Sequence, residues 1–180
     1  MANLEHVAIL KRGPESWNEW RRENPDVVPD LRVAHLRGAK LGNIDLSGAL
    51  LSIAILHSAD LSGANLRGAD LSSANLEKVL LVGADLEGAD LRGTKFTGGD
   101  LRRANLSGVD LRSGVLYNAN LEGTDLSGAD LGSTLVYDAP NLTIEQLCSA
   151  GSLWLTELNE RRSLAEQYCP HLLERPAEAE

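Results

Sequence analysis

Residues 59–88 read ADLSG ANLRG ADLSS ANLEK VLLVG ADLEG, one frame of five repeated without a break. The third residue of every block is leucine: Leu61, Leu66, Leu71, Leu76, Leu81 and Leu86. Followed outward, the frame runs from Leu31 to Val136 with no insertion or deletion. It holds 22 centres, of which 20 are Leu and the others are Phe96 and Val136. The residue two before the centre is Ala in 13 blocks. The residue just before it is Asp or Asn in 14, and the residue two after it is Gly in 11.

A period of five suits neither regular element. An α-helix advances about 500° in five residues, so its leucine stripe would drift by roughly 140° per block and face nothing. A plain strand would send successive leucines to opposite faces. The backbone must therefore turn once per block. Asx before the centre and Gly or Ser two after it are turn formers, through local side-chain hydrogen bonds and tolerance of positive φ. The leucine and the small residue then point inward, and the other three point outward.

These blocks resemble the pentapeptide repeat family over residues 29–138. The resemblance implies a β-solenoid, a right-handed quadrilateral β-helix with four blocks and 20 residues per coil. The 22 blocks would make about 5.5 coils, a rod roughly 26 Å long at about 4.8 Å per coil. An open solenoid leaves unpaired edges and an apolar last layer, which natural proteins cover. Residues 1–28 are expected to form an N-terminal helical cap, with helices over Leu4–Lys11 and from Pro14 to Glu23, and with Trp17 and Trp20 on one face. Residues 139–174 are expected to form a C-terminal helical cap. Thr143 and Gln146 have capping-box spacing, with Leu142 and Leu147 as its staple. Leu153, Trp154, Leu155 and Leu158 read as an amphipathic cover, and a further helix spans about Asn159–Tyr168. The tail, 175–180, is expected to fray.

Composition narrows the function. The net charge of −9 argues against direct nucleic-acid binding through phosphates. The apolar runs are too short to cross a bilayer, and the first ten residues lack the basic region of a signal peptide. Cys148 and Cys169 are expected to be reduced thiols in a cytoplasmic protein. No catalytic, cofactor-binding or metal site is expected. His6, His35, His57 and His171 are scattered, and the serines sit where turn chemistry explains them.

Surface remains. Sorted by a 20-residue coil, the blocks fall on four faces. The first, centred on Leu51, Leu71, Leu91, Leu111 and Leu131, carries an acidic ladder of Asp70, Asp90, Asp110 and Asp130, with Arg92 and Arg112 beside it. The second, centred on Leu36, Leu56, Leu76, Phe96, Leu116 and Val136, has no Asp before its centres. It presents His35, Ile55, His57, Lys78, Lys95, Val115, Tyr117, Leu135 and Tyr137 as a candidate interaction face, unless the chain's own C-terminal segment covers it. The third and fourth are centred on Leu41 to Leu121 and on Leu46 to Leu126. These features point to a non-enzymatic structural or protein-interaction module with an unknown protein partner, monomeric or dimeric. The alternative is an acidic DNA mimic that binds a type II topoisomerase (gyrase), as some members of the resembled family do. Arg32, Arg67, Arg92, Arg102, Arg103 and Arg112 interrupt the negative field that such mimicry requires.

Overall fold

The computed structural model describes residues 1–175. Its body is a four-sided coil. Parallel β-bridges from Asp30↔Leu50 to Val115↔Leu135 join residues 20 apart, so each side stacks on the same side one coil away. Every centre from Leu31 to Val136 is buried, and the small residues two before them line the same core. Burying each leucine contributes about 1.5–3 kcal/mol before the entropy of ordering is counted. Where the small inward residue is Thr, its buried hydroxyl donates to a main-chain carbonyl: Thr124 to Leu101 at 2.7 Å and Thr134 to Leu111 at 2.8 Å. Phe96 is fully buried beside Gly99, where an added Cβ would come within 3.2 Å of Leu101 Cδ1 and 3.4 Å of Val79 Cγ1.

The corners explain the rest of the block. The residue two after each centre has positive φ, whether it is glycine (Gly83, 66°) or not (Ser73, 57°). The Asx before the centre closes the turn from the other side. Its Oδ1 accepts the backbone N–H two residues on, as in Asp60 to Ser62 at 3.0 Å and Asn75 to Glu77 at 3.0 Å. All 14 Asx at this position make that bond. On the fourth face Asp and Asn alternate up the coil. Asn65 and Asn105 each donate to the Asp below, Asp45 and Asp85, at 3.0 Å, so no two carboxylates are stacked directly.

Two helices precede the coil, α1 (Leu4–Leu10) and α2 (Pro14–Glu23, with Pro at its start). Their side chains occupy hydrogen-bonding positions that a preceding coil would fill. His6 Nδ1 accepts from Asp30 N at 2.9 Å, and Asn18 Oδ1 accepts from Asp45 N at 2.8 Å. Trp17, fully buried, donates Nε1 to Asp45 O at 2.6 Å, and Asn18 Nδ2 donates to Asn43 O at 3.0 Å. Trp20 packs against both Trp17 and His6.

The C-terminal end departs from an all-helical cap. The short α3 (Ile144–Ser149) forms with the expected capping box of Thr143 and Gln146. Gln146 Nε2 also donates to Leu121 O and Thr124 O, each at 2.8 Å. Beyond it, however, Leu153, Trp154, Leu155 and Leu158 are not helical. They continue the coil: Ser152 bridges Asp130 and Glu157 bridges Leu135, while Leu153 and Leu158 are buried as further centres. The spacing here is 22 rather than 20, because two extra residues enter between Leu135 and Ser152, the stretch that holds α3. A 3-10 turn (Asn159–Arg161) and α4 (Arg162–Tyr168) follow, and a last turn (Pro170–Leu173) lays Leu172 O on Leu153 N at 2.7 Å.

The cysteines also overturn an expectation. Cys148 and Cys169 are disulfide-bonded, with Cα atoms 5.5 Å apart, rather than free thiols. The fold brings α3 against α4 and places the end of one beside the end of the other. Arg175 is placed too, with its guanidinium 6.0 Å from the centre of the Trp154 ring, and residues 176–180 lie outside the described residues.

Candidate functional site

The acidic ladder lies on the first face as one column, bridged from Asp70 to Asp90, Asp110 and Asp130. Arg92 grips Asp90 through two nitrogens and comes within 3.7 Å of Asp110. Arg112 does the same to Asp110 and comes within 3.5 Å of Asp130. The Arg92 guanidinium holds the Asp90 carboxyl below its ordinary range. Each ladder carboxylate also spends one oxygen on its own turn. The column is therefore a set of turn-forming carboxylates laced by arginine, not an open negative stripe.

The second face is different. His35 and Lys95 are exposed, Tyr117 is 45% exposed, and Ile55, Val115, Leu135 and Tyr137 are half-buried. The chain's C-terminal segment stacks on the end of this face through Glu157 and leaves the rest open. His57 faces Glu77 one coil on, with Nδ1 3.4 Å from its carboxylate. Arg37, Lys78 and Lys95 pair with no carboxylate among the described residues, unlike Arg32, Arg67, Arg92 and Arg112 on the first and fourth faces. Among the described residues, no group of three or more His, Cys, Asp or Glu side chains is arranged to hold a metal ion, and no helix is long and apolar enough to cross a membrane.

A third feature was not anticipated. The corner between the first and second faces carries Val33, Ile53 and Leu155 at its left-handed position, with φ of 62°, 60° and 58°. They are 42%, 58% and 57% exposed. A side chain held there costs about 1–3 kcal/mol, and for a β-branched residue the conformation is an outlier. Between Ile53 and Leu155 the corner narrows to Ser73, Gly93, Ser113 and Ser133. With Arg92, Arg112 and Trp154 these border a shallow groove of about 640 Å³. Val33 and Ile53 could have been noticed as aliphatics where the frame favours glycine. Leu155 could not, because it joins the column only after the two-residue shift.

These observations define a β-solenoid of five-residue repeats with side-chain-capped ends. The pentapeptide repeat model matches in 8 copies over residues 30–68, 69–108 and 104–134, and the chain belongs to the pentapeptide-repeat family, whose fold is the right-handed quadrilateral β-helix. Among solved structures, a pentapeptide repeat protein from the Arabidopsis thaliana thylakoid lumen is 30% identical, over 71% of this chain and 83% of its own, with a TM-score of 0.55. One from the cyanobacterium Cyanothece 51142 is 37% identical over 48% and 60%, with a TM-score of 0.39. QnrB1, a plasmid-mediated fluoroquinolone resistance protein, is 16% identical over 79% and 84%, with a TM-score of 0.35. No curated protein matches the sequence.

Proposed function

We propose that this protein is a non-enzymatic recognition rod whose second face meets a partner protein. The observation that carries the reading is the exposure of that face. Where the other faces carry mostly Asp or Asn before their centres, it leaves Tyr117 and Lys95 exposed, and Val115 and Leu135 half-buried beside them. Apolar and aromatic side chains held in register on a stiff backbone suit binding, because little ordering remains to be done when a partner arrives. The arginine-laced ladder gives gyrase mimicry no support. We expect no inhibition in a gyrase supercoiling assay at micromolar protein.

The test is quantitative capture of binding proteins from native lysate by three forms. These are the wild type, a Lys95→Glu/Tyr117→Ala double variant on the second face, and a Ser107→Ala/Ser127→Ala control on the fourth. Capture should be lost only with the second-face variant. Equal capture by all three forms would overturn the reading. The compartment is open to a separate measurement. Disulfides persist in oxidising surroundings, so the bonded Cys148–Cys169 pair favours an oxidising compartment over the cytoplasm. Mass-tag alkylation in intact cells reads its state directly.

A further inference from the structure

The C-terminal end is held by two elements of unequal grip. The first, α3, is fastened to the coil: Leu147 is fully buried, Gln146 reaches Leu121 O and Thr124 O, and Ser149 O accepts Gly128 N at 2.9 Å. The segment 162–173 rests on the rod more lightly. Of its residues Ala165, Cys169 and Leu172 are buried, Leu173 is half-buried and the rest are exposed, Tyr168 by 62%. It nevertheless closes the rod. Leu153 and Leu158 are the final buried centres, and Leu153 N meets Leu172 O at 2.7 Å where a next coil would offer a carbonyl. The Cys148–Cys169 bond joins the light element to the fixed one.

The two halves of the bond are not equally open to attack. Cys148, in the last turn of α3, is half-buried, whereas Cys169, just after α4, is 1% exposed and belongs to the apolar core. Access is one of the factors that decide which sulfur an incoming thiolate meets. The released partner is then the buried one, and it is also the one carried by the lightly held segment.

We propose that Cys148–Cys169 is a thiol-exchange site that latches the C-terminal end of the rod, closed as the disulfide and opened by a dithiol reductant. A thiolate of the reductant attacks Cys148 Sγ, and the electron pair of the broken S–S bond leaves on Cys169 Sγ, which takes up a proton. The second thiol of the reductant then displaces Cys148 and completes the reductant's own disulfide. Two electrons and two protons have passed from the dithiol to the cysteines. Released from α3, the segment 162–173 lifts off Leu153 and Leu158, as a lightly held terminal unit opens before the rest of a fold. The hinge falls just before α4, because Arg161 stays bound to Ala139 O and Leu142 O. The coils behind it do not change. This latch is independent of the recognition face.

The test treats the folded, oxidised protein with reduced glutathione, quenches in acid and maps the products by mass spectrometry. Glutathione should be found on Cys148, with Cys169 recovered as the thiol. Dithiothreitol should then give both thiols while circular dichroism still shows a folded rod. Hydrogen exchange in that state should speed up about tenfold to 100-fold over 162–173, less over 144–149, and not at all over 51–131. Reoxidation should restore the slow rates. Cys148→Ser/Cys169→Ala, which cannot form the bond, should show the reduced pattern with or without reductant; if it fails to fold, reduced wild type still gives the answer. Glutathione on Cys169, reduction no faster than the unfolding of the whole rod, or unchanged exchange over 162–173 would overturn the proposal. So would faster exchange reaching 51–131, which would make the bond a general stabiliser and not a latch.

Discussion

The middle of the rod and its two ends solve one problem by different means. Between Leu51 and Leu131 a main-chain group on one rung is met by a main-chain group one coil away, as Leu71 N meets Asp90 O and Asp90 N meets Ala69 O. At the ends there is no next coil, and side chains stand in. His6, Trp17 and Asn18 do so at the first coil, and Gln146 at the last full one. Arg161 donates to Ala139 O and Leu142 O just beyond. The middle is thus stabilised by repetition, in which each layer depends on its neighbours. The ends are stabilised by individual residues, each of which can be removed alone.

The sharpest break in this contrast is a defect in the middle. Leu81→Asp would place a carboxylate in a fully buried position with no partner. Destabilisation should exceed about 4–5 kcal/mol, enough to unfold the rod. Circular dichroism on heating should show no cooperative melt, while Ser62→Ala, an outward change in the next coil toward the N-terminus, should leave the melt within about 2 °C of wild type. At the C-terminal end the corresponding element is the Cys148–Cys169 bond, which spans 21 residues of sequence. Closing a loop of that size contributes about 3 kcal/mol in the chain-entropy view. Reduction should lower the melting temperature by about 6–12 °C. If the two regions are separable, hydrogen exchange should rise across 141–172 and stay unchanged across 51–131.

The N-terminal end should respond more mildly. Asn18→Ala leaves Asp45 N and Asn43 O without the partners they have now, a loss of about 1–3 kcal/mol. Trp17 keeps covering the core, so unfolding should stay cooperative and merely shift to lower denaturant. A loss as large as that of Leu81→Asp would erase the distinction between middle and ends.

How far the sequence could be read follows the same division. The middle was legible because every block does the same job, so 22 centres vote on one geometry. The helices and capping box at the ends were legible where the signal is local: Pro14 opening α2, and Thr143 with Gln146 opening α3. Leu153 to Leu158 were misread because the apolar spacing there satisfies both a helix face and a block of five. Only the β-bridge from Asp130 to Ser152 decides between them. The disulfide needed a through-space distance, which nothing in a 21-residue separation supplies. At the candidate site, the Asx-free face was visible as a departure from the frame, but its exposure was not. That depended on where the C-terminal segment went.

The smallest expected effect should ignore the distinction altogether. Asp30 lies on the first coil, and Asp90 and Asp100 lie in the middle. In each, the hydrogen-bonded guanidinium of the arginine two residues on is the main influence holding the carboxyl below its ordinary value, to about 2 for Asp30. A carboxyl whose folded value is depressed binds its proton more readily when the chain is unfolded. These groups therefore contribute their full stability above about pH 4, and lose it as the pH falls toward about 2. The arginines are about half exposed, so water and salt screen the attraction and the contribution is modest. Urea midpoints measured from pH 5 down to pH 2 should fall, and the part due to these pairs should shrink in 1 M salt. Arg32→Gln and Arg92→Gln should flatten the acid limb by similar amounts, because exposure rather than position along the rod sets what such a pair is worth. A much larger change from Arg32→Gln would show that the first coil depends on its ion pair as well as on its helical side chains.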